Sequence, residues 1–374
     1  MTDKVLQLIC KRGQAGAYIW FCEVKHNFIL LFHQIKLVMK IHNLAFLLLF
    51  QCLFAFDLAL KSSQSSSLPP GKQQLKIEKS KAANFIFKSA DGGQTWEDIS
   101  EGLPENLSED GIPRDGFLAN DHGIYLRAGN GIYYSEPNST APFWKKELFP
   151  DNHNSIVPGK TGMLTFNYGG QFLQKTKETG LWSPVYTDFP GKSVRTIFET
   201  GESVFIGCDW GLFKSDDNGK NWNRVYDGGW VMKLAESDGV LLATSQTGII
   251  RSIDQGENWV NVIEEGGVGI AIERIKGGFA AITCNTETET RRVRTSYDGG
   301  KTWQPVDAAL PPSLYIASIT EVGEYLFCGH PAGIYRSSDK GNTWQLALHS
   351  IEDKVFNLVV SGSVIYAIPK SGGC

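Results

Sequence analysis

No two cysteines of the chain form a CxxC pair, and beyond residue 82 only Cys208, Cys284, Cys328 and Cys374 remain. A zinc ribbon or a thioredoxin-type redox motif is therefore excluded. The first three fall near the ends of expected second strands, where other repeats carry Ser245 or Ala243, and read as small core residues with free thiols. Positive charge is scarce over most of the length. Residues 1–82 hold 11 Lys and Arg against 4 Asp and Glu, whereas the remainder holds 25 against 36. An acidic body lacks the basic footprint of a nucleic-acid binder, so no nucleic acid is expected as partner. No acidic loop continues into the further Glu and extra oxygen ligands of a calcium site; neither a metal nor another cofactor is expected. Long apolar runs are missing as well, with one exception. Residues 44–56 are apolar over 13 positions, which is signal-peptide length and short of the roughly 20 residues a membrane span needs.

Met39, Lys40 and His42 precede that run as a short positive segment with its own initiator, and Ala59 follows at cleavage distance. Residues 1–38 show neither repeat nor periodicity and read as translated upstream sequence. The true start is therefore expected at Met39 and the mature end near residue 60. An uncleaved membrane anchor over residues 28–56, interrupted by Lys36 and Lys40, is the second reading, and a buried helix the third. The leading reading makes the protein secreted, periplasmic or displayed at the cell surface. Residues 61–82, with five lysines among Ser, Gln, Pro and Gly, form a flexible linker, read as a solvated spacer ahead of a membrane-touching segment. Asn106 and Asn138 head glycosylation sequons.

What the chain has in abundance is one turn. The frame Ser-x-Asp-x-Gly-x-(Thr/Asn)-Trp occurs five times, as Ser89–Trp96, Ser215–Trp222, Ser252–Trp259, Ser296–Trp303 and Ser337–Trp344. Asp tolerates turn geometry and its carboxylate accepts hydrogen bonds from backbone N–H groups just downstream. The Gly supplies a positive φ, and the Trp is expected to open the return strand with a large face to bury. Asp91, Asp217, Asp254, Asp298 and Asp339 are accordingly structural residues, each explained by its own turn.

These boxes resemble the Asp-box (BNR) repeat of sialidases, sortilin-type receptors, oligosaccharide hydrolases and photosystem assembly factors. The resemblance covers residues 83–374 and implies that each box joins the third and fourth strands of a propeller blade. Two degenerate copies complete the series, Tyr134-Ser135 leading to Trp144, and Thr176–Trp182. Tryptophans 96, 144, 182, 222, 259, 303 and 344 then recur every 37 to 48 residues, the length of a four-stranded blade. In one interval Val231–Ala235, Val240–Thr244, Gly248–Ser252 and Trp259–Val262 read as the four strands. The C-terminal segments Val355–Val360 and Val364–Pro369 supply two strands and stop where a third is due, while Asn84–Ser89 and Trp96–Ile99 supply only the last two. The expected fold is all-β, a seven-bladed β-propeller over residues 83–374 whose last blade is closed by both termini.

Function is expected on the face opposite the boxes. That face receives Tyr168, Cys208–Gly211, Asp227–Trp230, Glu264-Glu265, Thr286–Arg292, Tyr315, His330-Pro331 and Asp353. The ligand-binding candidates are Arg195, Asp209, Trp210, Trp230 and His330, with Asp227-Gly228-Gly229 as a loop open to a ligand. Two aromatic faces beside a cation and a carboxylate suit a sugar ring or an extended peptide. The competing reading pairs Arg195 with Asp209 and packs the tryptophans into the channel mouth. No catalytic residue is assigned. The resemblance implies six blades and three carboxylate-binding arginines for a sialidase. Here Ile112-Pro113-Arg114 stands in the wrong order for its first arginine motif, and Arg291, Arg292 and Arg294 are bunched. Seven-bladed hydrolases of the class pair two propellers and use two carboxylates, for which Asp209 and Asp227 would be the candidates. Single seven-bladed propellers resemble photosystem II assembly factors, which bind protein. The expectation is an exported, monomeric, non-catalytic propeller with a protein or glycan ligand, and a glycoside hydrolase is the alternative.

Overall fold

The computed structural model describes residues 84–370, apart from 105–106, 108–111, 114, 121–122, 130, 137–138, 142, 148–154, 178 and 265–266. The start at Met39, the apolar run, the linker, Asn106, Asn138 and Cys374 lie outside the described residues. No helix among the described residues is long and apolar enough to cross a membrane.

The second strand of each repeat is the most apolar, and Ser203–Cys208, Val240–Ser245 and Tyr325–His330 are buried almost throughout. A strand covered on both faces reads as a continuous apolar run and not as an alternation. Outer strands such as Glu97–Asp98, Lys145–Lys146 and Gln304–Pro305 are short and exposed. Seven four-stranded antiparallel sheets follow, arranged as the blades of a propeller. Blade 2 is Phe117–Asn120, Gly123–Ala128, Gly131–Ser135 and Lys145–Lys146. Blade 3 is Ser155–Gly159, Gly162–Phe166, Phe172–Thr176 and Trp182–Val185. Blade 4 is Val194–Thr200, Ser203–Cys208, Gly211–Ser215 and Asn223–Tyr226. Blade 5 is Val231–Ser237, Val240–Ser245, Gly248–Ser252 and Val260–Ile263. Blade 6 is Gly267–Ile275, Gly278–Asn285, Thr290–Ser296 and Gln304–Pro305. Blade 7 is Ser318–Val322, Tyr325–His330, Gly333–Ser337 and Gln345–His349.

In blade 1, Glu97–Asp98 and Phe87–Ser89 share a sheet with Val364–Lys370 and Val355–Ser361, and Phe87 stands opposite Ala367. The N-terminal pair is shorter than the sequence led one to expect. Side chains take over the ladder there: Asp98 accepts from Asn84 N–H at 2.9 Å, and Ser100 Oγ from Phe85 and Ile86 at 2.9 and 3.1 Å.

All five box turns share one hydrogen-bond set. The Ser hydroxyl donates to the Asp carboxylate at 2.7–2.9 Å. The same oxygen accepts from the box Gly N–H at 2.8–2.9 Å. The carboxylate accepts a backbone N–H four residues on at 2.8–3.0 Å. Its second oxygen takes the Thr or Asn side chain of that residue at 2.6–2.7 Å, which is why only those two types occupy the position. The Trp sits just before the fourth strand instead of opening it. Its indole N–H returns to the box Gly carbonyl in blades 4, 5 and 6, at 2.9, 3.0 and 3.2 Å.

Among the described residues the buried apolar side chains form seven clusters, one at each blade-to-blade interface. The boxes take part in this packing. A Cβ on Gly93 would lie 2.6 Å from Phe327, and one on Gly256 2.5 Å from Phe205, each on the preceding blade. Both glycines also have positive φ, so two independent constraints fix the residue type. Cations of third strands reach forward to the next box: Arg251 Nε donates to Gly299 O at 2.6 Å and Arg336 Nη1 to Gly92 O at 2.9 Å, and Lys214 pairs with Glu257.

Candidate functional site

The starts of the inner strands and the hairpins between second and third strands meet on the face away from the boxes. There Tyr168 lies in the hairpin joining Gly162–Phe166 to Phe172–Thr176, Arg195 near the start of Val194–Thr200, and Asp209 and Trp210 in the hairpin after Ser203–Cys208. Arg195 Nε donates to Asp209 Oδ1 at 2.5 Å, and the Tyr168 hydroxyl donates to Oδ2. The Arg195 guanidinium also lies over the Tyr168 ring, 5.4 Å from its centroid. Burial pulls the Asp209 carboxyl upward, but the bonds from Arg195 and Tyr168 outweigh it and hold the group below the usual carboxylate range. Backbone bonds tie the same segments: Asp209 N–H to Ser193 O and Val194 N–H to Tyr168 O, both 3.1 Å.

Trp210 stands on this fixed loop with its carbonyl held by Arg224 and its side chain 67% exposed. Trp230 is half-buried at the entry to blade 5. Of the residues before it, Asp227 and Gly228 are exposed and Gly229 is half-buried. A Cβ on Gly228 would meet the tip of the Tyr226 side chain and one on Gly229 the end of the Gln246 side chain.

Beneath Tyr168 and Arg195 a cavity of about 230 Å³ opens at the channel mouth, lined also by Asp115, Met232, Lys233 and Ile270. Lys233 is paired with Glu273 on the next inner strand. The pairing of Arg195 with Asp209 is thus present, yet Trp210 does not fill the channel mouth.

His330 is a correction. It is 3% exposed, its Nε2 bonds Pro311 O at 2.9 Å, and its Nδ1 accepts from Ala332 N–H at 3.0 Å. Those bonds fix a neutral ring with the proton on Nε2. The connection from blade 6 to blade 7 covers the ring, which removes His330 from any ligand surface. Asp227 lies exposed beyond Asp209. The box aspartates close on their own turns at the other face, in five separate blades. Cys208, Cys284 and Cys328 are free thiols, and burial, with the Asp209 charge behind it, pushes Cys208 up to about 12. Among the described residues no group of three His, Cys, Asp or Glu side chains could hold a metal ion.

Sequence reasoning placed Tyr168 on this face without joining it to Asp209. The two are 41 residues apart, and blade 3 has no regular box to set its register. Lys233 and Asp115 carried no motif at all.

No family model and no curated protein matches the chain. Solved structures do. The extracellular domain of BT4673 from B. thetaiotaomicron aligns with a TM-score of 0.56 at 13% identity, over 78% of this chain and 40% of that one. The GH74 xyloglucanase from Xanthomonas campestris aligns with a TM-score of 0.54 at 15% identity, over 77% of this chain and 56% of that one. YCF48 bound to D1 peptide gives a TM-score of 0.48 at 13% identity, over 70% of this chain and 95% of that one. The chain spans less than two thirds of either of the first two. Likeness at such identities is likeness of fold, and the fold is the seven-bladed β-propeller.

Proposed function

We propose that this is an exported, monomeric, non-catalytic binding propeller that takes a protein or glycan ligand at the rim formed by Tyr168, Arg195, Asp209, Trp210 and Trp230. The observation that carries the reading is Trp210, an indole 67% exposed on a loop anchored by Arg224 and by the Arg195–Asp209–Tyr168 group. A large ring presented rigidly offers contact area at little ordering cost. The five turns, in this reading, are Asp-box repeats with a purely structural role. Residues 44–56 support export, with cleavage ahead of retention as an anchor.

The hydrolase alternative needs one carboxyl that stays protonated as general acid. Asp209 is poorly suited, because two donors hold it ionised. The experiment is to present the mature protein to a glycan array, an immobilised peptide library and a panel of fluorogenic glycosides. Saturable binding without turnover is the expected result. Turnover would overturn the non-catalytic reading, and silence on both binding supports would overturn the binding one.

A further inference from the structure

The inner strands of three successive blades break register at the channel mouth. In blade 4, Val194 stands opposite Cys208 and Thr196 opposite Gly207, so Arg195 is an extra residue. In blade 5, Met232 and Lys233 stand against the single Thr244, whose hydroxyl accepts from Lys233 N–H at 2.9 Å. In blade 6, Ile270 is extra between Gly269, opposite Thr283, and Ala271, opposite Ile282. The same two strands pair without a shift in blades 1, 2, 3 and 7. A bulge takes a side chain out of its strand's alternation and re-aims it. All four bulge residues line the cavity of about 230 Å³ below the rim. Three bulges serving one cavity mark it as built.

Charge does not choose the occupant. Arg195 and Lys233 line the cavity, and each is paired with a carboxylate that does not, Asp209 and Glu273. Asp115 lines it outside both pairs. The lining thus carries one positive charge in excess, and one negative once the two pair partners are counted, so neither sign of ligand is favoured. Size and lining decide among neutral groups. The volume lies below the ~300–1,000 Å³ usual for a whole small ligand and suits one ring or one large side chain. Pro113, Phe166, Val194, Met232 and Ile270 make half of the lining apolar. The Tyr168 hydroxyl and both cations are already engaged within the protein. A sugar ring enclosed here would leave hydroxyls without partners, a costly outcome. An apolar side chain leaves none.

We infer that this cavity seats one large apolar side chain of a polypeptide ligand, which makes polypeptide, and not glycan, the ligand class of the rim site. The inference rests on the binding reading above. Met232 is half-buried, and its flexible thioether adapts to the side chain it meets. The Asp115 carboxylate is the acceptor for a backbone N–H beside that anchor.

Met232 also reports on the cavity. Beyond residue 60 the chain has only Met163 and Met232, and Met163 is buried between blades 2 and 3, where it serves as an internal reference. The test is NMR of mature protein isotope-labelled at the methionine methyls, titrated with N-acetyl-phenylalanine amide, N-acetyl-alanine amide and methyl β-glucoside. The phenylalanine probe should shift the Met232 signal saturably, with Kd on the order of a few mM, and leave Met163 in place. The alanine probe should bind about tenfold more weakly or worse. Met232→Asp, its fold checked by melting curves, should weaken the phenylalanine probe about tenfold, read by saturation transfer to the probe's ring. Equal affinity for the two amino-acid probes, or a phenylalanine probe indifferent to Met232→Asp, would overturn the apolar anchor. A saturable shift with the glucoside and none with the phenylalanine probe would overturn the polypeptide assignment and leave the rim a glycan site. No saturable shift up to about 20 mM of any probe would overturn the cavity as a subsite. The arrays decide the binding reading without reading this cavity, so the two can fail separately.

Discussion

Asp217 and Asp339 sit in exposed turns, yet their carboxyls come down to about 2. The Asn221 backbone N–H is the main cause at the first and the Thr343 hydroxyl at the second. Asp91, Asp254 and Asp298 are depressed in the same direction. A folded-state value below the unfolded one, near 4, means that the contribution is present above pH 4 and is lost as pH falls towards 2. Thermal melts should therefore show the box contribution intact from pH 7 to 5 and fading below about pH 4. Replacing Asp298 by Ala should lower Tm by about 2–4 °C at pH 7 without altering ligand binding. Binding abolished at unchanged Tm would make that box a functional site. His330 is neutral in the fold and would gain a positive charge on protonation, with the same sign of effect. Burial lowers its value, more than the Pro311 bond raises it, so stability should fall as pH drops below about 6.5. His330→Gln can keep both bonds without titrating, and it should flatten that slope in melts between pH 7 and 5. An unchanged slope would locate the titration elsewhere.

At the scale of elements, the sequence announced whatever is local. Ser, Asp, Gly and Trp within one turn bond to each other, so a repeated eight-residue frame carried both the turn and the blade around it. What joins one blade to the next was silent. Tyr168 reaches Asp209 across an interface, and His330 looked exposed because the connection that covers it comes from the other side of its blade. The third-strand cations were equally illegible, since Arg336 and Gly92 are 244 positions apart. Arg336→Ala removes that bond and the guanidinium lying 4.8 Å from the Tyr325 ring centroid. Hydrogen exchange in Phe87–Ser89 should accelerate as a result, while blades 3 to 5 stay unchanged; uniform acceleration would mean that the contact is not local. Among the described residues the buried cluster at the blade 2–3 interface is the smallest of the seven, Leu118, Ile132, Ile156 and Met163, and it lies where the box copies are degenerate. Exchange in wild-type protein should be fastest at that seam among the seven.

For the molecule as a whole, blade 1 draws strands from both ends of the described chain, and the buried cluster between blades 7 and 1 includes Phe356, Leu358, Ile365 and Ala367. Deleting residues 355–374 should leave insoluble or protease-sensitive protein, because two sheet edges open at once. A soluble, cooperatively melting truncation would show that the ring does not need its closing blade. A ring whose apolar cores lie between blades leaves the channel mouth and its rim available, and there the proposed ligand site rests on one exposed indole. The most direct test compares Trp210→Ala with wild type in two readings, affinity for whichever glycan or peptide the arrays return, and Tm. The account predicts a fall in affinity of about tenfold or more, the size of an aromatic hot spot, with Tm unmoved. A lowered Tm with affinity intact would mean that Trp210 is packing and would contradict it.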